Sequence, residues 1–125
     1  RQIMAQYASL TKSIFDLTGS AIYHPKEMSK IAETGIVIYL ETSPEKQKEM
    51  FQIYLKNPKP VCWAHIFTPK PGESGPQTLE RCYPELLRYR AQEYQKYADI
   101  TVPYDIHKKS STPQDLIAYI KEHSI

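Results

Sequence analysis

Gly35-Ile36-Val37-Ile38-Tyr39-Leu40-Glu41-Thr42-Ser43-Pro44 is an apolar run that stops at a polar loop and then enters a helix. A half-exposed antiparallel strand alternates apolar and polar side chains, whereas a strand buried on both faces reads as a continuous hydrophobic run. Ile36 to Leu40 therefore predicts a strand of a parallel sheet covered by helices. Behind it, Ser43 suits an N-cap, Pro44 the first helical position, and Glu45 the first turn, where an acid complements the helix dipole. Met50, Phe51 and Tyr54 give that helix its apolar face. Asn57-Pro58-Lys59-Pro60 stops it, because proline lacks an N–H and restricts its predecessor.

Upstream, Ile3, Met4, Tyr7 and Leu10 follow a helical spacing, and Ser13-Ile14-Phe15-Asp16-Leu17 is an apolar run short enough for a strand. Thr18-Gly19-Ser20 follows it; small residues let a backbone turn sharply, and by itself the tripeptide reads as an ordinary turn. His24-Pro25 starts a short helix with Met28, Ile31 and Ala32 on its apolar face. The chain opens on Arg1, directly in a helical pattern, and is expected to be the C-terminal portion of a longer protein.

Downstream, the segment from Asn57 to Pro76 holds five prolines and two glycines, with Trp63, His65 and Phe67 among them. A loop of that length inside a compact domain is an active-site lid or a disordered segment, and the aromatic residues favour a lid that packs against the protein. Lys70-Pro71-Gly72-Glu73-Ser74-Gly75 has the look of a phosphate loop, yet lacks the Gly-Lys-Ser/Thr ending and a preceding strand, so it is rejected as a nucleotide site. A helix is predicted from about Thr78 to Ala98, with Pro84 able to split or kink it. Leu79, Tyr83, Leu86, Tyr94 and Tyr97 fall within about 40° of one line on that helix, with Arg90 at its centre. An arginine there either snorkels to water or meets an anion in a cleft, and spacing alone leaves both readings open. Ile100-Thr101-Val102 predicts a third strand and His107 to Ser111 a polar loop. Thr112-Pro113-Gln114-Asp115 comes close to a capping box, ahead of a last helix faced by Leu116, Ile117 and Ile120. Helices alternating with strands argue for one α/β domain with parallel crossovers.

The 125 residues, 41% hydrophobic, suit a single compact domain over residues 1–125 with a modest core. A net charge of +2, with Lys and Arg spread along the chain, gives no support to a nucleic-acid partner. Cys62 and Cys82 are isolated and no His cluster stands at zinc spacing, so neither a metal site nor a redox pair is expected; both read as buried thiols in a reducing compartment. No apolar run reaches the ~20 residues of a membrane span and no signal peptide opens the chain, so the expected location is cytoplasmic. His24, His65, His107 and His123 are scattered, without a nucleophile in a recognisable pair.

Gly35 to Gln47, then Lys59-Pro60-Val61 after a helix, then Leu87 to Tyr94 and Tyr97 to Val102, in this order and with these gaps, resemble the C-terminal two thirds of the shikimate kinase family. The resemblance implies a three-layer α/β P-loop kinase-like fold with a parallel sheet, lacking here its N-terminal P-loop strand. It implies ATP-dependent phosphorylation of a hydroxyl on a small carboxylate-bearing metabolite, with ATP and Mg²⁺ as cofactors and most of their ligands outside this chain. The missing N-terminal segment of the same protein, some 50 residues long by the resemblance, is its expected partner. By the same resemblance Gly19 and Ser20 bind the acceptor, Arg90, four residues before Tyr94, binds its carboxylate, and Lys59 at the lid entry is catalytic and reaches the ATP phosphates. Thr112 and Pro113 lie in the adenine-side loop. Two departures stand out: Thr18-Gly19-Ser20 replaces three consecutive glycines, and Lys59 offers a point charge where the family has a forked arginine. The alternative is a degenerate, non-catalytic kinase-like module that binds a nucleotide or metabolite.

Overall fold

The computed structural model describes residues 12–124. They form a 3₁₀ turn at Ala21–Tyr23, then α1 (Pro25–Thr34), β1 (Ile38–Leu40), α2 (Pro44–Lys56), α3 (Gly75–Tyr97), β2 (Ile100–Val102), the single-turn α4 (Tyr104–His107) and α5 (Pro113–His123). The helix expected around Ile3 to Leu10 lies outside the described residues. Contacts divide the chain into two compact units, Arg1–Glu41 with Glu93–Ile125, and Thr42–Gln92.

In the first unit β1 and β2 pair in parallel, with Ile38 opposite Ile100, Tyr39 opposite Thr101 and Leu40 opposite Val102. The ladder is locked at its entry, where the Val37 amide donates to Asp99 Oδ2 at 2.7 Å and the Val37 carbonyl accepts from Asp99 N at 2.8 Å. At its exit Glu41 N donates to the Val102 carbonyl at 2.9 Å. Helix α5 packs on β2 and α4, and Tyr119 donates its hydroxyl to the Thr101 carbonyl. Among the described residues of this unit, Ala21, Ile22, Met28, Ile100 and Val102 are the buried apolar ones.

Two expectations fail here for one reason. Ser13 to Leu17 is not a strand, and β1 is not buried on both faces: Ile36 is 65% exposed, Ile38 37% and Leu40 45%. A strand exists only where a neighbour completes its ladder, and among the described residues the sheet has two strands, β1 and β2. Ile14, aimed by its sequence at a core, is fully exposed.

Local signals behave better. Ser43 Oγ accepts from Lys46 N at 3.1 Å and Pro44 opens α2. Thr112 and Asp115 form a reciprocal capping box, Thr112 N donating to Asp115 Oδ2 at 2.8 Å and Asp115 N to Thr112 Oγ1 at 3.3 Å. In the second unit α3 starts three residues earlier than Thr78 and runs through Pro84 unbroken. Pro84 and Glu80, whose carbonyl loses its donor there, are both exposed, so water can satisfy the orphan. Thr78, Cys82, Tyr83 and Leu86 are the buried residues of that helix.

Candidate functional site

The stretch between α2 and α3 has no regular structure, as its prolines dictate, but it is tied down along much of its length. Trp63 stands edge-on to Tyr54 and Tyr83 with ring centroids 6.3 Å away in each case, and its ring lies 5.3 Å from Phe67. Tyr83 in turn stacks on Phe51 at 4.8 Å and on Tyr54 at 5.5 Å. Such a cluster of rings adds favourable edge and face contacts to the area it buries. Burial pushes the Tyr83 hydroxyl up from its ordinary pKa. Between the two anchored rings the chain reverses, with Ile66 N donating to the Trp63 carbonyl at 3.0 Å and Ala64 at φ 52°, a left-handed conformation unusual for a residue with a Cβ.

A second tie follows. Arg81 donates from Nε to Glu73 Oε1 at 2.8 Å and from Nη2 to Glu73 Oε2 at 2.9 Å and to the Thr68 carbonyl. Glu73 Oε2 also accepts from Lys70 N at 2.9 Å and from the hydroxyl of Thr78, a residue only 1% exposed, at 3.0 Å. The fork of Arg81, with help from the Lys70 amide, holds the Glu73 carboxyl down at about 2. Gly72, at φ 78°, makes the turn that brings Glu73 back. Lys70 to Gly75, rejected from its sequence as a nucleotide loop, is thus the arch of an arginine–glutamate clamp. Sequence reading did not anticipate Arg81 and Glu73, because eight residues across a proline-rich turn follow no helical or strand period.

Arg90 lies within the same unit. Its Nη2 donates to the Cys62 carbonyl at 3.1 Å and its Nε is buried, so the guanidinium is turned to the protein. Cys62, expected to be buried, is exposed, while Cys82 is buried; the tether at position 62 runs through the main chain and leaves the thiol outside. Lys59 is exposed.

In the first unit, the Thr18-Gly19-Ser20 turn is closed by Ala21 N donating to the Thr18 carbonyl at 3.0 Å, and the Thr18 and Ser20 hydroxyls hydrogen-bond to each other at 3.1 Å. Tyr94 donates its hydroxyl to the Gly19 carbonyl at 3.0 Å, and its ring lies 5.2 Å from that of Tyr39 on β1. Burial, with Glu41 and Tyr94 nearby, raises the Tyr39 hydroxyl pKa. Thr112 and Pro113 are exposed at the head of α5, with the Thr112 hydroxyl engaged in the capping box. His107 closes α4 and hydrogen-bonds through Nε2 to the Glu41 carbonyl at 2.7 Å. Of the positions singled out from the sequence, Gly19 and Tyr94 meet directly, and Arg90 meets the strap that begins beyond Lys59.

Helices alternating with a parallel strand pair define an α/β protein, consistent with the P-loop kinase-like class. The family model described as shikimate kinase matches residues 1–121 of the 125. The chain belongs to the shikimate kinase family, a family of nucleotide-binding phosphotransferases. No curated protein and no solved structure shows significant similarity to it. Among the described residues no helix is long and apolar enough to cross a membrane.

Proposed function

We propose that the protein transfers the γ-phosphoryl group of ATP to a hydroxyl of a small metabolite that bears a carboxylate, and that it works in the cytoplasm. The family match over residues 1–121 carries this reading. Arg90 takes the acceptor's carboxylate, since a forked guanidinium can meet two carboxylate oxygens at once. Gly19 and Ser20 contact the rest of the acceptor. Lys59 supplies positive charge to the phosphates and is the catalytic cation of this chain; Thr112 and Pro113 border the base. ATP with Mg²⁺ brings the transferable phosphoryl group and the ion that neutralises it. Among the described residues no group of three acidic, His or Cys side chains stands together, and magnesium requires none, being held through one or two carboxylates and the nucleotide's own phosphates.

The exposure of apolar side chains among the described residues of the first unit supports a further element of the proposal. Ile14 and Ile36 face solvent, and a strand from an additional N-terminal segment carrying the phosphate-binding loop would cover them. Without that loop this chain has no phosphoryl-transfer activity of its own.

A second reading is favoured by one observation. The mutually bonded Thr18 and Ser20 hydroxyls occupy the turn where the family has only glycines, as expected of a module that keeps a ligand and has lost catalysis.

The test uses the complete protein with ATP, Mg²⁺ and shikimate as the acceptor probe. Phosphate transfer is expected, and Arg90→Lys should raise the acceptor KM far more than the ATP KM. Absence of transfer with shikimate retained as a ligand selects the second reading; equal effects on both substrates, or none, remove Arg90 from the acceptor's carboxylate.

A further inference from the structure

One hydrogen bond of Arg90 to the strap runs from Nη2 to the Cys62 carbonyl, at 3.1 Å. The next residue is Trp63, the sole tryptophan of the chain and the side chain through which the strap enters the ring cluster of α2 and α3. The Trp63 ring is seated in that cluster and the Trp63 carbonyl accepts from Ile66 N at 3.0 Å, so two substituents of the Trp63 Cα are held; its nitrogen, and with it the plane of the Cys62–Trp63 peptide unit, follows. The seat of Trp63 therefore bears on where the Cys62 carbonyl points, and the carbonyl is one of the groups that orient the guanidinium. The left-handed Ala64 next to it is a further sign that the backbone here is held by its surroundings rather than by its own preference.

We propose that Trp63 is a positioning residue for Arg90: its ring, seated between Tyr54 and Tyr83, holds the Cys62 carbonyl so that the Arg90 fork is presented in one orientation to an acceptor carboxylate. This rests on the reading of Arg90 given above. A bidentate contact depends on the plane of the fork as well as its position, so loosening the strap weakens acceptor binding while the charge remains. Binding also runs the other way: a carboxylate that draws on the fork acts on the Cys62 carbonyl and through it on the indole.

The experiment is steady-state kinetics of the complete protein with shikimate and ATP, on wild type, Trp63→Ala, Trp63→Phe and Arg90→Lys. Trp63→Ala is expected to raise the shikimate KM on the order of 10-fold with the ATP KM unchanged, and Trp63→Phe, which keeps a ring in the cluster, to restore most of it. A parallel rise in both KM values, or no change, overturns the proposal. If Arg90→Lys weakens shikimate binding and Trp63→Ala does not, the positioning role falls and the carboxylate role of Arg90 stands; if Arg90→Lys has no effect on shikimate, both fall. Should Trp63→Ala fail to fold, the native indole decides: shikimate is expected to shift Trp63 emission in the wild type and not in Arg90→Lys, and an unshifted wild type that binds shikimate overturns the link.

Discussion

The strap between Cys62 and Thr78 and the strand region of residues 13–17 and 36–40 invert what their sequences advertise. The strap is rich in proline and devoid of regular structure, yet its rings, carbonyls and carboxylate are engaged by α2 and α3. The strand region has the strongest apolar runs of the chain, yet Ile14 is fully exposed and Ile36 is 65% exposed. The difference lies in where the partners come from. Glu73 meets an arginine eight residues on and Trp63 meets a helix that begins soon after it, so the strap closes on near neighbours. A parallel strand has no such recourse, because each edge must be completed by a strand distant in sequence. Apolar pattern measures how much a segment has to gain from burial, and says nothing of whether the partner is at hand.

The comparison breaks first at the helix that bears the strap. Leu86 is 1% exposed, and Leu86→Ala is expected to lower the unfolding free energy by about 3 kcal/mol in urea denaturation. A loss below ~1 kcal/mol would mean that the strap rests on a loosely packed support.

Acid tests the clamp itself. Glu73 is held at about 2, below its ordinary 4.5, so its contribution is complete above the ordinary value and is lost as pH falls through the depressed one. Hydrogen-exchange protection of the Lys70 amide, which donates to Glu73, should persist through pH 4.5 and fade only toward pH 2. Loss of protection already near 4.5 would show that Arg81 does not grip the carboxylate.

A smaller effect is expected at the capping box. Thr112→Ala removes the acceptor of Asp115 N and should cost about 1 kcal/mol, read as a lowered Tm. At the exposed apolar side chains the expectation is smallest: Ile14→Ala in the 125-residue chain should change stability by less than ~0.5 kcal/mol. The same substitution in a form with additional N-terminal sequence sharpens the contrast, since a cost of ~2 kcal/mol or more would show that the added strand covers Ile14.

What the sequence made legible follows the same division. The Ser43 cap, the Thr112–Asp115 box and the Ile100–Val102 strand could be read because each depends on residues within a turn of one another or on a short run of one chemical kind. The strand at Ser13 to Leu17 and the burial of β1 could not, since both are decided by neighbours that local pattern does not encode. Arg90 sits between these cases. Helical rotation placed it on the apolar side of α3, and its buried Nε agrees, but the bond to Cys62 crosses 28 residues and left no trace in any period. Its role at an acceptor came from family resemblance, as did those of Gly19, Ser20, Lys59, Thr112 and Pro113.

The left-handed turn at Ala64 also bears on the order of events in folding. An alanine at φ 52° stands about 1–2 kcal/mol above its right-handed form, so the denatured chain seldom samples the reversal between Trp63 and Phe67. The helices need no help from it: α2 carries its own cap, and the Tyr54 and Tyr83 rings are in place once α2 and α3 have docked. The expectation is that the reversal is captured late, by a surface that already exists, and amides between Trp63 and Phe67 should then exchange faster than those of α2 and α3 in native-state hydrogen exchange.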